Sequence, residues 1–250
     1  MKEMKRYIYL LCLLLLSLTA TASEDISARL QALPGISDVQ PLESEAYQQK
    51  YVMYIDQQTD PRHPEAGTFR QRVILCHVGL DRPTVIVTEG YFAEYALRPA
   101  YQDELSRLFN ANVICVEYRF FGKSYPEPCN WDYLTVENSL YDLHHVNQTF
   151  RRLYQGKWLA TGISKGGQTT MFYRTFFPDD VDVSVPYVAP AEQESGRRAA
   201  RAVHCQAGLN GCQPPACAGL PTGGAEAQGS ADAAVQEALS GKGLHVPRAY

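Results

Sequence analysis

Trp158-Leu-Ala-Thr-Gly162-Ile-Ser164-Lys-Gly166-Gly167-Gln-Thr-Thr-Met-Phe-Tyr-Arg-Thr-Phe-Phe177 is the stretch on which the fold turns. Trp158 to Thr161 is a short apolar run of the kind that forms a buried strand, and Gln168 to Phe177 reads as a helix stopped by Pro178. Gly162-x-Ser164-x-Gly166 between them reads as a tight turn. A strand, a sharp turn and a helix in that order lift a serine hydroxyl to the carboxyl edge of a sheet. They also place the backbone N–H of Lys165, at the helix start, to face a developing oxyanion. A Gly-x-Ser-x-Gly read alone could equally be a structural turn; its flanks favour a nucleophile.

Upstream, Ala111 to Val116 reads as a strand, Tyr101 to Phe109 as a helix with Leu105, Leu108 and Phe109 inward, and Pro83 to Thr88 as a strand. Strand–helix–strand implies a parallel pair. Phe69 to Val78 is strand-like too, and the turn Gly79-Leu-Asp81-Arg-Pro83 suggests that it forms an antiparallel hairpin with Pro83 to Thr88. At the end of that second strand stand Glu89-Gly90-Tyr91. A loop in this place supplies the second oxyanion N–H, here from Gly90 or Tyr91, and Glu89 could meet the free amine of a substrate. The plainer alternative makes Gly90 a turn glycine and Glu89 a solvated charge.

Thr135 to Tyr154 is the clearest helix, with Thr135 as N-cap and Val136, Leu140, Leu143, Asn147, Phe150 and Tyr154 on one stripe. His144 and His145 are adjacent, face different ways and read as structural. Asn147-Gln-Thr149 has the form of a glycosylation acceptor but lies inside this helix. Gly122-Lys123-Ser124 imitates the end of a phosphate loop, yet Glu117 stands where that motif needs glycine, and Pro126 and Pro128 stand where it needs a helix. Residues 23–50 form a short amphipathic entry segment (Ile26, Leu30, Leu33) broken at Pro34-Gly35. Residues 51–72 are polar and aromatic with turns, and Val181 to Val185 is a further strand.

The chain opens with Lys2, Lys5 and Arg6, an apolar run from Tyr7 to Leu18, and Ala20-Thr-Ala22, the pattern of a cleaved signal peptide over residues 1–22. A spanning helix needs about 20 apolar residues, so no stable membrane span is expected. Cleavage after Ala22 leaves 228 residues, and the net charge of −4, losing +2 with the segment, becomes −6. That acidity implies no nucleic-acid partner. Export permits disulfides: Cys129 is the better candidate, whereas Cys76 and Cys115 sit in strand patterns as buried thiols. With no Cys-x-x-Cys and scattered histidines, neither a metal nor another cofactor is expected. Oligomeric state is not legible.

Thr88-Glu89-Gly90-Tyr91, Glu117-Tyr118-Arg119 with Gly122-Lys-Ser124, and Gly162-Ile-Ser164-Lys165-Gly166-Gly167 occur in that order. Together they resemble the secreted tripeptidyl aminopeptidase family of serine peptidases (serine peptidase family thirty-seven), related to the prolyl-carboxypeptidase-like enzymes. The resemblance runs from about residue 50 to Pro190. It implies an α/β fold, the N-terminal part of an α/β-hydrolase sheet with flanking helices over residues 23–190. It also implies peptide substrates cut from a free amino terminus through an acyl-enzyme on Ser164. An esterase or lipase is a second reading, weakened because Glu89-Gly90-Tyr91 stands where a His-Gly-Gly-Gly loop is expected. A non-catalytic exported binding protein that keeps the elbow as scaffold is a third.

After Pro190 the composition changes. Residues 191–250 hold 14 Ala and 9 Gly, no Phe, Trp, Ile or Met, and Tyr250 as the only aromatic. Such a tail buries too little to order itself, and a shifted reading frame or misread gene end is the expectation for it. The triad acid and histidine of a hydrolase should follow the nucleophile. Here only His204 and His245, with Asp232 before the latter, are available, and none is recognisable as a triad member. The chain is therefore expected to be inactive as written.

Overall fold

Residues 25–189 are described by the structure, a computed structural model. The expected signal segment, the tail and its cysteines and histidines lie outside the described residues. A short helix α1 (Ser27–Gln31) leads into β1 (Ile36–Pro41), β2 (Gln49–Gln58) and β3 (Thr68–His77). Then come β4 (Thr84–Thr88), α2 (Glu104–Phe109), β5 (Asn112–Val116), α3 (Val136–Phe150), β6 (Trp158–Ile163), α4 (Lys165–Phe176) and β7 (Val183–Tyr187). One seven-stranded sheet runs β1-β2-β3-β5-β4-β6-β7. Its first three strands are antiparallel to their neighbours, and β5, β4, β6 and β7 are parallel. A mixed sheet with β4 inside β5, and the serine turn after the next parallel strand, is the α/β-hydrolase arrangement.

Two of the parallel strands, β4 and β5, are the most completely buried. Thr84–Thr88 and Asn112–Val116 are buried at every position, as strands covered on both faces must be. Alternate residues feed two cores: Ile86, Ile114 and Val73 pack beside Leu140, Phe150 and Trp158 on one face, and Val85, Val113 and Ile74 pack beside Ala96 and Leu105 on the other.

The expected hairpin of Phe69–Val78 with Pro83–Thr88 does not form. β3 pairs antiparallel with β5 (Val73↔Val116 to Cys76↔Val113), and β4 lies beyond β5, parallel to it. The side chain of Asn112 helps to hold the inserted strand. Its Oδ1 accepts from the N–H of Val78 (2.7 Å) and Gly79 (3.0 Å), and its Nδ2 donates to the Gly79 carbonyl (2.8 Å). The first residue of β5 thus satisfies polar groups of the segment expected to be a hairpin turn.

Two strands were not read from the sequence. β2 buries Tyr51, Met53, Ile55 and Gln57 on alternate positions and forms a ten-residue ladder with β3. β1 covers its outer edge. The helix expected over 101–109 is confined to Glu104–Phe109, capped by Asp103, whose side chain accepts from Ser106 N–H (2.8 Å). So short a helix turns Leu105 to the sheet but leaves Leu108 and Phe109 at 64% and 52% exposure, contrary to their expected inward placement. α3 is capped by Thr135, which accepts from Asn138 N–H (3.1 Å). β7 begins two residues later than expected.

α3 is tied to the segment after β5 by a buried ion pair. Arg119 Nε and Nη2 each lie 2.7 Å from an oxygen of Asp142. Its remaining donors reach the carbonyls of Gln58 (3.1 Å), Thr59 (2.9 Å) and Tyr133 (2.9 Å). Cys76 and Cys115 are free and buried, and burial pushes the Cys76 thiol up to about 12. Cys129 is disulfide-bonded. Among the described residues no helix is long and apolar enough to cross a membrane, and no group of three His, Cys, Asp or Glu is placed to hold a metal ion.

Candidate active site

Ser164 sits alone between β6 and α4, exposed, with φ 57° and ψ −117°. Such a backbone costs a non-glycine residue on the order of 1–3 kcal/mol and persists only where its surroundings over-determine it. They do so here. The Ser164 N–H donates to the Tyr187 carbonyl of β7 (3.0 Å), and the Ser164 carbonyl accepts from Gln168 N–H in the first turn of α4 (3.0 Å). The turn is so tight that a Cβ added to Gly162 would lie 2.5 Å from the carbonyl of Gly166 and 2.5 Å from that of Thr88. A Cβ on Gly166 would meet the same Thr88 oxygen at 2.5 Å. Thr88 Oγ1 adds bonds to the carbonyls of Thr161 (3.2 Å) and Gly166 (2.9 Å), and it contacts Thr170 Oγ1 at 2.7 Å. The end of β4 therefore stitches the elbow's strand to its helix, a contribution with no sequence signal beyond its place before Glu89.

Lys165 opens α4, where the first N–H groups have no partner within the helix and the dipole favours negative charge. The helix starts three residues earlier than Gln168, so Lys165 is helical as the turn demands. Glu89, Gly90 and Tyr91 follow β4, the strand adjacent to β6 (Val87↔Thr161). Gly90 abuts Lys165, since a Cβ placed there would lie 2.6 Å from Lys165 Cβ. The five residues singled out in the sequence thus converge on the carboxyl ends of two neighbouring parallel strands.

Glu89 is not a solvated charge. Its carboxylate accepts from the Tyr95 hydroxyl and lies 3.9 Å from Cys115 Sγ. Burial is the dominant influence and raises its pKa to about 7, against the lowering effect of hydrogen bonds from Tyr95, Cys115 and the Gly90 backbone. Behind it, Glu117 is fully buried, bonded to Arg72, to Lys123 N–H (2.8 Å) and to the Ser124 hydroxyl (2.8 Å). Gly122, at φ 56°, makes room for that carboxylate. The lookalike phosphate loop is filled by the chain's own anion.

The four described histidines are engaged elsewhere. His63 Nδ1 lies 3.2 Å from Glu65, His77 Nδ1 2.9 Å from Tyr154, His144 Nδ1 2.7 Å from Asp180, and His145 Nδ1 2.9 Å from Gln57. Among the described residues none is hydrogen-bonded to Ser164. His204, His245 and Asp232 lie outside them.

The chain is 39% identical over 174 residues to a prolyl tri/tetrapeptidyl aminopeptidase of Streptomyces mobaraensis, a stretch covering 70% of this chain and 35% of that protein. It is 27% identical over 113 residues to "Probable serine protease EDA2" of Arabidopsis thaliana, covering 39% of this chain and 23% of that one. The chain therefore spans about a third or less of the length of these relatives. Among solved structures, Rv0554 of Mycobacterium tuberculosis superposes with a TM-score of 0.48 at 16% identity, over 73% of this chain and 57% of that one. The α/β hydrolase GrgF of Penicillium sp. sh18 gives 0.43 at 18%, over 66% and 56%. Residues 20–217 match the profile of PS-10 peptidase S37, a span that begins before residue 50 and passes Pro190. The chain belongs to the PS-10 peptidase S37 family.

Proposed function

We propose that this chain carries the nucleophile and oxyanion site of an exported serine exopeptidase of the tripeptidyl aminopeptidase type. The observation that carries the reading is Ser164, exposed at a strained φ of 57° on a turn that its neighbours over-determine. Ser164 Oγ attacks the scissile carbonyl carbon and gives up its proton to a general base. The resulting oxyanion accepts from Lys165 N–H and from the Gly90–Tyr91 loop. Gly90 N–H also bonds the Glu89 carboxylate, which favours Tyr91 as the second donor. Collapse breaks the C–N bond, the peptide leaves as an amine, and water then releases the acyl group from Ser164. Glu89 accepts the substrate's free ammonium. Export rests on the basic-then-apolar opening of the chain.

A fluorophosphonate probe tests the nucleophile on the full chain. Labelling that disappears in Ser164→Ala, together with cleavage of aminoacyl tripeptide amides in preference to their N-acetylated forms and to short-chain esters, is the result expected of the nucleophile reading, and it would overturn the expectation that the chain is inactive as written. A parent that takes no label refutes an activated serine and supports a second reading, an exported binding protein that keeps the elbow as scaffold. That second reading draws on one observation, the separate engagement of all four described histidines.

A further inference from the structure

Lys165 does more than supply a backbone N–H. Its aliphatic stem lies across the oxyanion loop: a Cβ on Gly90 would stand 2.6 Å from its Cβ, 2.7 Å from its Cγ and 3.0 Å from its Cδ. Its ammonium then lies over three aromatic rings, 4.3 Å from the centroid of Tyr118, 4.7 Å from that of Tyr91 and 5.3 Å from that of Phe121. The rings brace one another, with Phe121 edge-on to Tyr91 (5.4 Å) and to Phe92 (5.3 Å). Tyr118 N–H donates to the Tyr91 carbonyl (3.1 Å), which ties the loop to the end of β5. A cation over ring faces is attracted by their quadrupoles.

We infer that the Lys165 side chain is a clamp that positions the Gly90–Tyr91 loop against Ser164 through this aromatic cage. The inference rests on the nucleophile reading above and deepens it. The residue next to the nucleophile grips the loop that carries the second oxyanion donor, so both halves of the oxyanion site are set by one side chain. Gly90 is required because the stem of Lys165 occupies the space of any side chain there. Tyr91 has two parts in this arrangement, its main chain turned to the site and its ring to the cage. A cation held in this way is a positioning residue and takes no part in proton transfer. Removing its charge while keeping its stem should loosen the loop and leave the core intact.

The test compares the full chain with Lys165→Met, which keeps an apolar stem, and Lys165→Arg, which keeps the cation. Fluorophosphonate labelling of Ser164 is expected to slow between tenfold and a hundredfold in the Met variant and to return to within about threefold of the parent in the Arg variant, with melting temperatures alike. In a spectrum of the ¹³C-lysine-labelled chain, one ε-methylene signal should lie upfield of the other lysines through ring current and vanish in Lys165→Met. The clamp is wrong if the Met variant labels as fast as the parent, if Arg and Met lose equally, or if no upfield lysine signal exists. A parent that does not label at all counts against the nucleophile reading. The clamp is then decided by the Gly90 and Tyr91 amide resonances, which move in Lys165→Met if the side chain holds the loop and stay in place if it does not.

Discussion

Replacing Arg119 by Met should destabilise the fold far more than its modest size change suggests. Arg119 is fully buried and bonds both oxygens of Asp142 at 2.7 Å, so its loss strands a buried carboxylate at 2% side-chain exposure. Breaking such a pair from one side costs about 3–5 kcal/mol. That is a large part of a typical 5–15 kcal/mol of stability. At about 2–4 °C per kcal/mol for a domain of this size, the melting temperature should fall by about 6–20 °C. The double variant Arg119→Met/Asp142→Leu removes the stranded charge. It should recover only part of this, because the carbonyls of Gln58, Thr59 and Tyr133 still lose their donor, at about 1 kcal/mol each. Acidity separates the two. Burial already raises the pKa of Asp142, and Arg119 is the influence that lowers it. Without the arginine the native carboxyl holds its proton more tightly still, while the unfolded one titrates near its ordinary value. The native state then binds more protons above that value, so stability falls as pH rises and returns on acidification. Thermal melts followed by circular dichroism between pH 7 and pH 5 should show the single variant's deficit shrinking and the double variant's unchanged. A single variant within about 1 kcal/mol of the parent, or a deficit indifferent to pH, refutes the reasoning.

Further outcomes are expected near the elbow. Gly162→Ala forces a methyl group to within 2.5 Å of two backbone carbonyls, and should cost about 3 kcal/mol or more, read as a collapse of soluble yield or melting temperature; a variant that melts like the parent contradicts the packing described. Glu89, raised to about 7, ionises as pH passes neutrality, so KM for free-amine peptides should fall between pH 6 and 7.5 in the parent and stay flat in Glu89→Gln. The same raised pKa means that Glu89 stabilises the fold while protonated, and that this contribution is lost as pH rises through about 7. Melting temperatures of the parent and Glu89→Gln that run parallel across this range would count against the burial of Glu89.

The parts of the fold that could be read early are those whose cause is local. The elbow was legible because a strand, two glycines and a helix terminus lie within nine residues, Trp158 to Gly166, and each imposes its own residue type. Thr135 was legible as a cap for the same reason. The order of strands was not. β3 meets β5 rather than β4 through long-range pairing, and Asn112, which helps to hold that arrangement, is more than thirty residues from the amides of Val78 and Gly79 that it binds. β2 escaped notice although its burial alternates cleanly over Tyr51, Met53, Ile55 and Gln57. Its buried face carries a tyrosine hydroxyl and a glutamine amide, and their partners Asp25, Gln71 and the Asp142 carbonyl come from elsewhere in the chain.

Gly122-Lys123-Ser124 and Gly162-x-Ser164-x-Gly166 show why residue type at a spacing is only half an argument. Both set backbone N–H groups and a hydroxyl on a turn that glycine permits, and both suit an anion. What differs is what the strand before each delivers. β5 ends at Val116, and the next residue, Glu117, sends its carboxylate back into the Gly122 turn, where Lys123 N–H and the Ser124 hydroxyl bind it. That carboxyl is shared with Arg72 and sealed from water, so the turn braces the end of β5 and is filled from within the chain. β6 delivers no such group. Ser164 is exposed with its N–H and C=O already committed to Tyr187 and Gln168, so the backbone holds the residue and the hydroxyl takes no part in holding the turn. A turn whose main chain is fully bonded and whose side chain faces solvent gains nothing structural from serine. The strain at φ 57° then has no structural return, which supports the chemistry proposed for the hydroxyl.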